Sequence, residues 1–348
     1  MKILLDDHHG IGDVAMFLCV LYEVKRKYPE AEIHMIIKSP VEQNLVETVG
    51  GVTQFFYYDP LNHNMKSILQ LVISLRKQHY DLAITHIGTN GKFGSMLFWA
   101  AGCKKTIGST TGKRIPNYSV PIDTSSQPYR ARKNALLLKG IGVTEVRETG
   151  LLADVVFHGT ITKDIMVRFG NKKKIGICIG TGNTVVNGKS FNGKRWPDQY
   201  WLKLIDRFVD AGYAVIILGG NKEKEERDNQ FNLIESNNVL DFVGSHKLHE
   251  SLEAIKNCDL LLAGDTGLGF CSALMDIPTL TLLGPSDPLL AAPYGKYAEY
   301  IFLGLECSPC YGTERMKDCD NRKCMNQITV DMVFEKSIQM LEAAKNNQ

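Results

Sequence analysis

The chain has 348 residues, 44% hydrophobic and 22% charged, with a formal net charge of +2. That composition describes a soluble globular protein, at this length one of two domains, and excludes a disordered, fibrous or low-complexity chain. No apolar run approaches the roughly 20 residues of a membrane span, and MKILLDD, with its two acids, does not read as a secretory leader.

In chain order, short β-rich runs alternate with amphipathic helical patterns. KILL (2–5), EIHMII (32–37), TQFFYY (53–58) and DLAITHI (81–87) read as strands, with helical patterns near 13–27, 42–49, 64–79 and 92–102. The regularity lapses around 150–173. It resumes with strands KIGICI (174–179), YAVIIL (213–218), VLDFV (239–243), DLLLAG (259–264) and TLTLL (279–283). Helical patterns follow near 198–211, 222–235, 248–257, 267–276 and 329–345. Alternation at this spacing predicts right-handed βαβ units, hence an α/β protein of two Rossmann-like, doubly wound domains, 1–165 and 166–348.

Charge is unevenly spread. Residues 61–140 carry twelve Lys and Arg against Asp81 and Asp123, a local balance of +10, so the rest of the chain sums to −8. Such a stretch is either a solvated face or a surface for phosphates, acidic glycolipid or nucleic acid. Of nine cysteines, Cys19, Cys103, Cys178, Cys258 and Cys271 sit in apolar contexts and read as reduced core thiols, which implies a cytoplasmic setting.

In doubly wound sheets ligands bind beyond the carboxyl ends of the strands, so the residues after each strand are the candidates. After the first comes Gly10-Ile11-Gly12-Asp13, either a capped turn or a close-approach loop ending in a carboxylate. It is not a GxGxxG fingerprint, because Ala15 holds the position of the next glycine. His8 and His9 are either a second acid–base group or plain loop residues. After KIGICI come Gly180, Thr181 and Gly182, then a polar loop to Gly193-Lys194-Arg195-Trp196-Pro197. Small hydroxylic residues there suit phosphate oxygens, Lys194 or Arg195 could neutralise a diphosphate, and Pro197 suits a first helical turn. DLLLAG is followed by Asp265-Thr266-Gly267 at a helix mouth. Free amides there can hold an anion, while Asp265 suits either sugar hydroxyls or a capping role. A fourth exit, Gly284-Pro285-Ser286-Asp287-Pro288, follows TLTLL.

GD entering a helix, KRWP before a helix, DTG after a strand, and GPSDP followed by APYG together resemble glycosyltransferase family 9, the bacterial heptosyltransferases, over essentially the whole chain. The resemblance implies a GT-B fold of two domains facing each other across a cleft, with acceptor in the N-terminal half and donor nucleotide-sugar, of ADP-heptose type, in the C-terminal half. It implies inversion at the anomeric carbon without a metal. By position, Asp13 resembles the general base and Lys194 the phosphate-binding lysine. Asp265, Thr266 and Gly267 resemble donor contacts, with Thr181 a looser match. Gly10, Gly12, Arg130 and Arg132 fall on the acceptor side. Phe270 stands where the family often has His. The expected acceptor is an anionic glycan, glycolipid or protein, met by the basic stretch, with peripheral contact at the inner membrane and no nucleic acid. A helix start stabilises the carboxylate of Asp13, whereas desolvation would favour its protonation.

Cys307, Cys310, Cys319 and Cys324 form C-x₂-C-x₈-C-x₄-C, read either as a structural zinc or iron site or as free thiols in a charged loop. Some autotransporter heptosyltransferases look similar in carrying an iron-holding cysteine finger; nothing in the sequence places this one at the donor loops. Three rivals stand against the transferase. A two-domain oxidoreductase lacks its glycine fingerprint, a sugar-nucleotide epimerase needs no acceptor, and a nucleic-acid binder leaves the strand-exit loops unexplained.

Overall fold

The computed structural model describes residues 1–110, 118–181, 185–186, 189–190, 193–221, 223–225, 236–317, 319 and 321–345. The chain divides into two units, Met1–Leu152 and Ala153–Gln348.

The first unit is built on β1 (Lys2–Asp7), α1 (Ile11–Lys27), β2 (Glu32–Ile37), α2 (Pro40–Val49), β3 (Gln54–Tyr57), α3 (Met65–Arg76), β4 (Leu82–Thr85), α4 (Gly91–Ala100), β5 (Lys105–Thr110), β6 (Val120–Asp123) and α5 (Arg130–Leu137). All six strands pair in parallel in the order β3-β2-β1-β4-β5-β6. The central strands β1 and β4 are buried on both faces, which explains their unbroken apolar runs. The pleat sends Leu4 and Ile36 toward Leu71, Leu75, Leu97 and Phe98 of α3 and α4. α1 packs with α2 and α5. Strands β5 and β6 have no strand signal in KTIGST and VPID; they form at the sheet edge because β4 offers them a ladder. Asn64 starts α3 through a capping box with Ser67 (2.9 and 3.0 Å).

The second unit opens with α6 (Ile161–Phe169). It continues through β7 (Lys174–Cys178), β8 (Val185–Val186), β9 (Lys189–Ser190), α7 (Asp198–Asp210), β10 (Ala214–Leu218), β11 (Val239–Asp241), α8 (Leu248–Lys256), β12 (Leu260–Ala263), α9 (Gly267–Leu274), β13 (Thr279–Leu283), β14 (Ala298–Phe302) and α10 (Val330–Lys345). Its parallel sheet runs β11-β10-β7-β12-β13-β14, the same winding order as the first, while β8 and β9 make a separate antiparallel pair. α7 buries Trp201, Leu204, Ile205 and Phe208, the 3–4 spacing of an amphipathic helix. The division at Leu152/Ala153 replaces the expected 165/166. α6 packs on α8, where buried Glu253 accepts a hydrogen bond from the Thr162 amide (2.9 Å), so the helix belongs with the chain after it. Most of the helix expected over 222–235 lies outside the described residues.

Candidate active site

Both sheets reverse their winding between the first and fourth strands, β1/β4 and β7/β12, and the loops leaving those strands carry the candidate chemistry.

In the first unit β1 ends in two fully buried carboxylates, Asp6 and Asp7. His8 Nδ1 lies 2.7 Å from Asp6 Oδ1 and His9 Nδ1 2.9 Å from Asp7 Oδ1. Burial works against an ionised Asp6, but His8, with help from Thr85, outweighs it and holds the carboxyl below its ordinary value. Asp7 has no such surplus. Burial, opposed by His9 and reinforced by Asp13 and Asp6, leaves its carboxyl raised to about 6. His9 itself titrates high: burial is overcome by its bond to Asp7 and by the nearby acids. These histidines are therefore paired partners of the strand-end acids, not plain loop residues.

Gly10 is the N-cap of α1, with no side-chain cap, and Gly12 and Asp13 lie in the first turn. Asp13 does not cap the turn. Its Oδ1 accepts from Arg130 Nη2 at 2.6 Å, across the sheet end from the first residue of α5. Gly10 has an ordinary extended φ of −81°, and a side chain there would meet nothing within 4 Å, so its backbone does not demand glycine. Arg132, the other acceptor-side candidate, forks onto Glu148 at 3.0–3.1 Å.

His86, just after β4, falls inside the run DLAITHI (81–87) that reads as a strand; ending that strand at Thr85, two residues earlier, brings it under the strand-exit rule. Its Nδ1 accepts the Gly88 amide (2.9 Å), which places the proton of the neutral ring on Nε2. That N–H is buried without a partner, 3.9 Å from Asp13 Oδ1. Burial, then the positive charges of His9, Arg130 and His8, depress its pKa well below the ordinary value, so the ring stays neutral. Asp7, His9 and His86 each bring a potential metal-ligand atom within 4.8 Å of the others. His86 nevertheless faces that space with an N–H, whereas a metal-bound imidazole presents a lone pair and donates from its other nitrogen. The arrangement fits a hydrogen-bond acceptor better than a cation.

In the second unit Lys194 Nζ sits 2.7 Å from Asp265 Oδ2, and Ser286 Oγ donates to the same oxygen at 2.6 Å. Lys194 Nζ also lies 3.8 Å from the centre of the Tyr311 ring. Arg195 pairs with Asp198 (2.8 Å) and so serves the start of α7; Pro197 is the N-cap of that helix, one residue before its first turn. Thr266 is the N-cap of α9 and Gly267 its first residue; the Thr266 side chain makes no capping bond, which leaves the first-turn amides to a ligand. Thr181 closes on Gly264, where an added Cβ would fall 2.7 Å from Thr181 Cγ2; glycine is needed for the exits of β7 and β12 to approach. Phe270 is buried inside α9.

The cysteine-bearing segment braces these loops, contrary to the expectation that nothing places it there. The amides of Cys310 and Tyr311 donate to the Pro285 carbonyl (both 2.8 Å), and Ser308 Oγ donates to the Gly284 carbonyl. Arg322 donates to the Arg195 carbonyl (3.3 Å), and a Cβ on Gly284 would meet Cys324 Sγ at 3.0 Å. Burial first, then Cys310, Cys307 and Cys319, together push the Cys324 thiol up to about 11.

Two parallel sheets of the same Rossmann order, with charged loops at their strand exits, are the architecture of the GT-B class. The family model for glycosyltransferase family 9 (heptosyltransferase) matches residues 68–320, and the chain belongs to that family. It is similar to lipopolysaccharide heptosyltransferase 1 of Escherichia coli (strain K12), 30% identical over 85% of this chain and 92% of the relative. Among solved structures it superposes on the family 9 glycosyltransferase of Veillonella parvula (TM-score 0.75, 19% identity, covering 98% and 97% of the chains). It also superposes on E. coli ADP-heptose LPS heptosyltransferase II (TM-score 0.72, 20% identity, 99% and 100%). No helix among the described residues is long and apolar enough to cross a membrane.

Proposed function

We propose that the protein transfers a heptose, with inversion, from ADP-heptose to a hydroxyl of a lipopolysaccharide-type acceptor. The observation carrying this is the 30% identity with a lipopolysaccharide heptosyltransferase across nearly all of that relative. Asp13 is the base: it takes the proton of the acceptor hydroxyl as the oxygen bonds to the anomeric carbon, while the C–O bond to ADP breaks and its electron pair leaves with the diphosphate. Arg130 occupies Asp13 Oδ1 in the free protein. An anionic group on the acceptor would draw the guanidinium away and free the carboxylate, and the buried His86 Nε2–H would then be the donor left to orient it. Arg132, held by Glu148, would add positive charge on the acceptor side.

On the donor side Lys194 would exchange Asp265 for the diphosphate and neutralise the charge that develops as ADP departs, with the Thr266 and Gly267 amides beside it. Asp265, still held by Ser286, would then accept from sugar hydroxyls, and Thr181 would reach a phosphate oxygen. Cys307, Cys310, Cys319 and Cys324 are the candidate thiols for a structural zinc or iron ion, although among the described residues no three of these sulfurs lie within 4.8 Å of one another. Such an ion would have to draw them together, and would then stiffen the segment that holds Tyr311 and residues 284–286. Transfer needs no chemistry from it.

The test is to incubate the purified protein with ADP-heptose and heptose-deficient lipopolysaccharide, following ADP release and acceptor mass. A heptose-sized increment on the acceptor is expected. Sugar isomerisation without acceptor would instead identify an epimerase, and no reaction with ADP-heptose would sink the donor assignment.

A further inference from the structure

The face of the first sheet covered by α3 and α4 presents a stripe of apolar side chains to solvent. Met65, Leu69 and Ile73 recur every four residues along α3, the first of them 80% exposed; Leu61 precedes them, and Met96 and Trp99 (70% exposed) face solvent on α4, which packs against α3. Helical periodicity sets this stripe opposite Leu71 and Leu75, which enter the core, so it is not a core face left uncovered by accident of packing. Lys66 on α3 and Lys77 at its C-cap flank it, and Lys92 shares the outward side of α4 with Met96 and Trp99. None of these three lysines makes an ion pair among the described residues, and neither helix contains an acid.

We propose that this face docks the enzyme on the surface of an anionic lipid bilayer, its apolar stripe in the interfacial zone and its lysines on the headgroups. Tryptophan, leucine and methionine ringed by lysine is the chemistry of an interfacial anchor. A second copy of this chain is the poorer occupant, because pairing the face with itself would oppose like charges. The purpose rests on the lipid-linked acceptor proposed above, since a docked enzyme meets that acceptor in two dimensions; the binding itself does not depend on turnover.

Full-length protein is mixed with vesicles of phosphatidylglycerol and phosphatidylcholine, or of phosphatidylcholine alone, and followed by co-sedimentation and tryptophan emission. Trp196 and Trp201 are buried in the second unit, so a blue shift on binding reports Trp99. Binding and a blue shift are expected with the anionic vesicles only. Met65→Ser/Leu69→Ser should abolish sedimentation, and neutralising Lys66, Lys77 and Lys92 to Gln should weaken binding about fivefold per lysine. Val156→Ser/Val167→Ser, exposed apolar positions of the second unit, should change nothing. All variants should keep wild-type ADP affinity, and the apolar-to-serine variants should also keep transfer to a deacylated, water-soluble acceptor, which shows that they fold. The proposal is overturned by absence of anionic-vesicle binding, by binding that survives both sets of substitutions, or by a dimer in sedimentation velocity that these substitutions dissolve. If binding occurs and no heptose is transferred, the proposed reaction fails and the docking surface stands.

Discussion

Asp7 is fully buried at the end of β1, with one oxygen bonded to His9 and the other without a partner. Its carboxyl is raised from 3.8 to about 6, burial being the largest cause. A folded-state value above the unfolded one means that the fold holds this proton more tightly than the open chain does. The associated stability is complete below about pH 4 and is lost as pH rises through about 6. Roughly two pKa units at 1.36 kcal/mol each make the ionised group a burden of about 3 kcal/mol at pH 8. Asp7→Asn keeps an oxygen that can accept from His9 and never ionises, so it should stabilise the first unit at pH 8 by up to that amount. That corresponds to about 6–12 °C in Tm for a domain of this size, shrinking toward zero near pH 4. The rise of His9 has the same sign, because a His with a raised pKa also loses its contribution as pH climbs. Calorimetry of wild type and variant across pH 4.5–8 measures the difference, and hydrogen exchange in peptides spanning β1 and β4 assigns it to the first unit. Transfer should fall in the same variant, since a destabilising buried charge beside Asp13 and His86 is a mark of function. A Tm difference that ignores pH, or one that grows toward acid, would refute the reasoning.

Asp13→Asn should lower kcat by about 10²–10⁴ and leave ADP affinity unchanged, which stopped-flow turnover and calorimetric titration can separate. Lys194→Ala removes the cation facing the diphosphate and should weaken ADP binding about tenfold to a hundredfold by titration calorimetry. Protein purified without chelator should contain zinc or iron by elemental analysis. Cys310→Ser or chelation should remove it and weaken ADP binding, because the cysteine segment braces the 284–286 loop and Tyr311. Metal-free protein with unchanged ADP affinity would dispose of that coupling.

Sequence alone established the strands whose burial on both faces writes an unbroken apolar run, such as β1, β7, β12 and β13. It also located the loops that carry Asp13, Lys194 and Asp265, because ligand-side residues of a doubly wound sheet must follow strand ends. It could not see β5, β6 and β14, edge or near-edge strands whose short sequences pair only because a neighbour supplies the ladder. The partnerships of the site were equally invisible. Asp13 meets Arg130 from 117 residues away, and the tautomer of His86 is fixed by a backbone amide. Periodicity and turn chemistry act over a few residues and are written locally. Which charge faces which, and which polar atom is left buried without a partner, depends on chain segments brought together only by the packed sheet, and that the tertiary structure alone decided.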